Sequence, residues 1–326
     1  MTSVPDLLVV HEHPEWQKPL FAALERRGLS FATLDLKNAA FVAGDPVPAA
    51  VVFNQASPSA YVRGNARAVP LGLAYLQSLE GSGAKVLNGA RAFAFELSKT
   101  TQAAALARLG LRTPRSIAFN DLDALRARLE AERGWRWPAL LKPEQGGSGA
   151  RIAKVASYDE LRAHVESTPR IWEPDGLLLV QEYFEHDHER GIVRMEILGG
   201  ELLYAMRVVS HGRYNLCPSE VCNPSDPNAT GHCEIPAEPQ RPVEFHPFAE
   251  VPPEAVEAGK RIMATAGIDV GGIEYLESRG ERVFYDVNAN SNLRPAIAEH
   301  FGFDPFERVT AWLEGHVRLA RRTAGS

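Results

Sequence analysis

The sequence predicts an α/β chain of two or three closely packed domains, and three observations carry that expectation. Short apolar runs alternate with helix-period segments in the first part of the chain, two later blocks are rich in strand patterns, and 326 residues exceed what one core comfortably fills. Leu7 to Val10, Phe31 to Leu36, Ala50 to Phe53 and Lys85 to Leu87 read as strands. The patterns from Trp16 to Arg27 and from Asn65 to Glu80 read as helices between them. Alternation of this kind predicts a parallel sheet, whose ligand loops lie at the carboxyl ends of its strands.

Helices are expected on either side of Ser98, ending near Gly110, with Pro114 opening the next unit. Asp121 can cap a helix running to Arg133, and Ser157 with Glu160 forms a capping box for another. Ala139 to Lys142 and Arg151 to Val155 are strand candidates joined across glycines. Leu177 to Gln181, Ile192 to Ile197 and Leu202 to Val208 form a second strand block with Gly199-Gly200 as a tight turn. Cys217 to Phe248 holds seven prolines and reads as one long loop, a length that usually signals function. A helix through Ala266, a strand pair over Val270 to Leu276 and Arg282 to Val287, and a helix from Pro305 to Arg322 complete the chain.

A formal charge of -6 gives no general reason to hold a nucleic-acid backbone, although local basic groups can hold a small anion. No leader pattern and no uncharged run of membrane-spanning length is present, so a cytoplasmic location without membrane attachment is expected. Three cysteines, Cys217, Cys222 and Cys233, fit a reducing compartment. With His211 and His232 nearby they could hold zinc, but their spacing lacks the usual paired pattern, and packing is the preferred reading. A cysteine nucleophile is the remaining alternative.

Two segments carry chemistry. In Lys142-Pro143-Glu144-Gln145-Gly146-Gly147-Ser148-Gly149, three glycines let peptide N–H groups approach phosphate oxygens, although a flexible hairpin would use the same freedom. It is not a Walker loop, because its lysine precedes the glycines. Further on, Asp286 and Asn288 are two apart in an extended run and should face one way, with Glu274 joining them if the strands are neighbours. Two carboxylates and an amide oxygen suit magnesium.

In this order the motifs resemble the ATP-grasp enzymes, in particular the ribosomal-protein glutamate ligases and glutathione synthetases, over roughly Lys85 to Arg322. The resemblance implies an ATP-grasp α+β architecture of a pre-ATP α/β domain (1–97), a central lobe with the glycine loop (98–188) and a C-terminal lobe (189–326) that includes the loop 217–248. It implies that Lys99, Lys142, Gly146, Gly147, Ser148 and Gly149 meet the nucleotide phosphates. Gln181, Glu182 and Tyr183 would form the adenine hinge and Glu189 would accept from ribose. Glu274, Asp286 and Asn288 would hold magnesium, with manganese as a substitute; many relatives carry glutamate where this chain has Asp286. Arg207 and Asn215, with Arg194 less firmly, would surround the phosphate, and Arg294 would receive a substrate carboxylate or the developing phosphate.

The activity so implied is an ATP-dependent joining of a carboxylate to an amine, on small molecules or peptides, through an acyl phosphate. The alternatives are an ATP-grasp kinase, a ligase acting through oxygen or sulfur, and an inactive nucleotide-binding regulator. Assembly into a homo-oligomer is left open.

Overall fold

The computed structural model describes residues 4–147, 149–212, 243–291 and 293–324. Ser148, Asn215, His232 and the three cysteines therefore lie outside the described residues.

Strands β1 (Leu7–His11), β2 (Phe31–Asp35), β3 (Val51–Asn54) and β4 (Val86–Leu87) form a parallel sheet in the order β2-β1-β3-β4. β1 and β3 are buried on both faces, which is why they read as continuous apolar runs. Helices α2 (Ala68–Gly81) and α3 (Ala90–Leu97) cover one face through Leu76 and Phe93. Helices α1 (Pro14–Arg26) and α9 (Pro305–Ala324) cover the other, with Leu20 and Leu24 against Leu313 and Val317. The last helix of the chain thus packs on its first domain.

Helix α4 (Lys99–Arg108) starts at Ser98, whose hydroxyl accepts from the Thr101 N–H at 3.0 Å. It lies on the C-terminal sheet: the Gln102 amide bonds both the carbonyl and the N–H of Val287, at 3.0 Å each. The central sheet has the order β5-β8-β6-β7, all antiparallel, from β5 (Ser116–Phe119), β6 (Ala139–Pro143), β7 (Ala153–Val155) and β8 (Leu178–Glu182). Strand β5 has too short and mixed a pattern to stand out in the sequence. Helices α5 (Leu122–Ala131) and α6 (Tyr158–Ser167) cap at Asp121 and Ser157 as expected, and bury Leu125 and Leu161 on one face of this sheet.

The C-terminal sheet runs β11-β10-β9-β12-β13, from β9 (Ile192–Leu198), β10 (Glu201–Val209), β11 (Glu244–Pro247), β12 (Val270–Ser278) and β13 (Glu281–Asn288). Both glycines of the turn Gly199-Gly200 have positive φ, at 58° and 83°. Helix α7 (Pro253–Ala266) packs on one face, where Gly259 lets Ile197 and Met195 approach. One correction concerns the expected loop Cys217 to Phe248: within it, Glu244–Pro247 is an edge strand paired to β10. A four-residue edge strand with one exposed side has no apolar run to betray it. Helix α8 (Pro295–Ala298) follows β13, and among the described residues no helix is long and apolar enough to cross a membrane.

Candidate active site

The uncovered faces of the central and C-terminal sheets look at each other across a cavity of about 220 Å³, closed at one end by the N-terminal domain. Strand alternation decides what enters it. On β6, Ala139 and Leu141 go to the core while Leu140 and Lys142 line the cavity; on β8, Leu178 and Val180 go inward and Gln181 lines it. Lys142 is only 4% exposed. Burial, reinforced by the nearby charge of Lys99, pushes its ammonium down to about 7.

The glycine loop is tied down at its start by Glu144. This buried carboxylate accepts from the Ser98 hydroxyl at 2.6 Å, from the Thr100 hydroxyl at 2.8 Å and from the Thr100 N–H at 3.1 Å. It therefore sits on the N-terminus of α4, where a negative charge is favoured, and places Lys99 beside the loop. Gly147 is required by close approach of Ser59, while at Gly146 the near neighbour is the flexible end of Lys99. A Cβ on Gly146 would stand 2.9 Å from Lys99 Cε, and one on Gly147 would stand 2.5 Å from Ser59 Cβ. Gly149 is the loop glycine held at positive φ, 71°.

The opposite wall is acidic. Glu274 and Asp286 are cross-strand partners, and a bulge immediately beside them leaves Tyr285 unpaired in the ladder, so that its side chain also turns into the cavity. The Tyr285 hydroxyl donates to Glu274 at 2.9 Å and Arg194 donates to Glu274 at 2.9 Å and to Glu196 at 2.7 Å. Burial and the charge of Asp286 raise the Glu274 carboxyl above its ordinary value. For Asp286 burial acts upward, but Lys99 and Lys142 outweigh it and hold the carboxyl low. Lys99 Nζ stands 3.3 Å from Asp286 Oδ1, an ion pair that joins the basic and acidic sides. Asn288 donates to Asp286 at 2.8 Å.

Whether this donor set fits a divalent ion is decided by its chemistry. A buried carboxylate, Glu274, a half-buried one, Asp286, and one amide converge on one cavity wall, all oxygen donors once the amide turns its oxygen inward, and this is the set that hard cations take. Among the described residues no three His, Cys, Asp or Glu side chains cluster for a metal. His211, one of the histidines near the cysteine segment, pairs with Glu244 at 3.1 Å.

The structure thus gathers Lys99, Lys142, Gly146, Gly147, Gly149, Gln181, Glu182, Tyr183, Arg194, Glu274, Asp286, Asn288 and Arg294 around one cavity. The Glu182 carboxylate is engaged with the Arg115 N–H at 3.1 Å, and the Tyr183 ring carries Lys154 at 3.8 Å. Arg294 lies over Phe245 at 3.4 Å. Two expectations are corrected. Arg207 pairs in register with Val193, so it projects from the opposite face of the sheet, where it covers Phe248 and faces Glu277 at 3.7 Å. Glu189 has a side chain 75% exposed in a turn and is not part of the wall. Strand parity one residue out explains the first error, and a turn of unknown path the second.

Several residues escaped the sequence reading. Glu144, Tyr285 and Glu196 are acids or hydroxyls inside strand runs or beside glycines, without a spacing of their own. Trp16, Ser57 and Ser59 reach the cavity from the N-terminal domain, and His186 and His188 line it beside the Tyr183 segment.

A cleft between two sheets, basic and glycine-lined on one side and acidic on the other, is what this α/β architecture builds. The same architecture occurs in solved ATP-grasp proteins. The ATP-grasp ligase PsnB complexed with a minimal precursor matches with a TM-score of 0.65 at 20% identity, over 96% of this chain and all 100% of that one. The RimK domain ATP-grasp protein from Sphaerobacter thermophilus gives 0.63 at 16%, over 94% and 98% of the two chains. The VanG D-Ala:D-Ser ligase from Enterococcus faecalis gives 0.64 at 17%, over 95% and 98%. The chain therefore has the ATP-grasp fold. No family model and no curated protein matches the sequence.

Proposed function

We propose that the protein is an ATP-dependent carboxylate–amine ligase, forming an amide or peptide bond through an acyl phosphate and releasing ADP and phosphate. The observation that carries this reading is the pair of opposed walls: Lys99, Lys142 and the glycine loop face Glu274, Asp286 and Asn288 across one cavity, and Lys99 touches Asp286. Separated charge of this kind suits a polyanion bound with a divalent ion, since each wall meets the partner it needs.

In this reading ATP lies along the central sheet, with its base toward Gln181 to Tyr183 and its phosphates under Gly146 to Gly149. Phosphate oxygens beside Lys142 favour its charged form and reverse the effect of burial. Lys99 and Arg294 then hold the transferring group and the carboxylate that attacks it. Arg194 keeps Glu274 oriented from behind. Glu274, Asp286 and Asn288 would hold magnesium, or manganese in its place, which would supply positive charge to the phosphate oxygens when bound. The domain limits 1–97, 98–188 and 189–326, a cytoplasmic site of action and small-molecule or peptide substrates belong to the same proposal. Support for the peptide class comes from PsnB, solved with the precursor peptide PsnA2 and AMPPNP.

Incubation with MgATP and panels of acids and amines tests this reading. The expected result is ADP, inorganic phosphate and a joined product in equal amounts, all dependent on both substrates. A stable phosphorylated acid without any joined product would instead establish a kinase. Nucleotide binding with no substrate-dependent turnover would establish a regulator.

A further inference from the structure

One buried acid has no part in the arrangement above. Glu96 stands on the last turn of α3, is 3% exposed, and lines the cavity. Its Oε1 accepts the Asn290 backbone N–H at 3.1 Å, which sets the direction of the side chain. Its Oε2 is buried and has no hydrogen-bond partner among the described residues. Buried polar atoms are almost always paired in folded proteins, so an orphaned carboxyl oxygen on a cavity wall points to a donor brought by a ligand.

The place of Glu96 narrows that ligand. Asn290 also donates through its side chain to the Gln55 carbonyl at 2.7 Å, so Glu96 lies where the end of β13 meets the N-terminal domain. The charged groups acting on it are Asp286, Lys99 and Arg194, none of which belongs to the Gln181 to Phe184 segment. Glu96 therefore stands at the end of the cavity away from the Gln181 to Phe184 segment.

We propose that Glu96 receives the amine of the second substrate, accepting a hydrogen bond from its ammonium group on Oε2 and taking a proton from it before attack. This rests on the ligase reading. Burial pushes the Glu96 carboxyl up to about 8. Free α-amino groups titrate at about 7.7–8.0, so a proton moves between the two with little difference in free energy. The ammonium nitrogen carries three protons and the amide keeps one. One passes to the Glu96 carboxylate and frees the lone pair that forms the C–N bond. The acyl C–O bond breaks, phosphate leaves with that electron pair, and the remaining proton departs with it as hydrogen phosphate. Glu96 then returns its proton to water.

The test uses the full chain, MgATP, and the common L-amino acids and dipeptides as acids and amines, with hydroxylamine as a second nucleophile. Hydroxylamine is uncharged at neutral pH and traps the acyl phosphate as a hydroxamate without an ammonium to be recognised. Glu96→Gln keeps the acceptor for Asn290 and replaces the free oxygen by an NH2 group. The expected result is a fall of about a hundredfold in the ratio of amide to hydroxamate. An unchanged ratio, or equal falls in both products together with nucleotide affinity, overturns the proposal and leaves Glu96 a brace for Asn290. Absence of hydroxamate and amide from the wild type would overturn the ligase reading itself, and this proposal with it. If E96Q does not fold, Glu96→Asp draws the carboxyl back by one carbon; an unchanged ratio there overturns the proposal equally.

Discussion

The two sheets that face each other across the cavity hold opposite charges, and they hold them by different means. On the acidic wall every charge already has a partner: Arg194 spans Glu196 and Glu274, Tyr285 donates to Glu274, and Asp286 takes Asn288 and Lys99. On the basic wall Lys142 is buried with no ion pair among the described residues, and its ammonium is pushed down to about 7. The acidic wall is organised without a ligand, whereas on the proposed reading the basic wall would be completed by a bound anion. Damage to the first should therefore appear in catalysis, and damage to the second in binding and its pH dependence.

The largest effect is expected from Asp286→Asn, which keeps the shape of the side chain and removes its charge. Turnover should fall by about a hundredfold to a thousandfold, the scale seen for a lost preorganised electrostatic group. A magnesium titration at saturating substrates, paired with a thermal melt, checks it. An unchanged rate and an unchanged ion requirement would break the contrast at its stronger side.

Next comes Lys142→Met. Loss of a charged hydrogen bond to phosphate should weaken nucleotide binding by about tenfold to a hundredfold. The melt should rise, because an unpaired buried ammonium is replaced by an apolar side chain of similar length. In the wild type, affinity for ADP should decline as pH rises through about 7, where the free protein loses the ammonium proton. Between about 7 and the ordinary lysine range the unfolded chain binds the extra proton, so stability contributed by this group rises with pH there. Both slopes should vanish in K142M. Calorimetric titrations at several pH values sharpen the comparison, and a flat wild-type profile would contradict the buried-lysine account.

The smallest effect is expected from Arg207→Ala. Its side chain leaves the acidic sheet on the face away from the cavity, so the rate should change by no more than about twofold, the range of a surface substitution. A steady-state assay beside D286N decides it. A loss comparable to that of D286N would put Arg207 back among the phosphate ligands implied by resemblance.

Much of this was legible in the residues themselves. The capping at Asp121 and Ser157 could be read because a cap is a local event within three residues. So could the shared facing of Asp286 and Asn288, because extended chain repeats every two residues. Glycines between two hairpin strands and a lysine ahead of them marked the loop, and the order of motifs pointed to the fold.

What sequence alone determined, then, is which groups exist and which near neighbours share a side. Only the tertiary structure decided which side faces the cavity. Arg194 and Arg207 are alike as sequence, each a basic residue in an apolar strand, yet register pairs Arg194 with Met206 and Glu274 on the cavity face and Arg207 with Val193 on the other. Tyr285 enters the site only because a bulge breaks the alternation opposite Glu274. Gly147 is needed because Ser59 of another domain lies against it, and Glu96 is left with a free oxygen because Asn290 reaches only one of the two. Each of these depends on contacts between residues far apart in the chain, which spacing and periodicity, being local, do not carry.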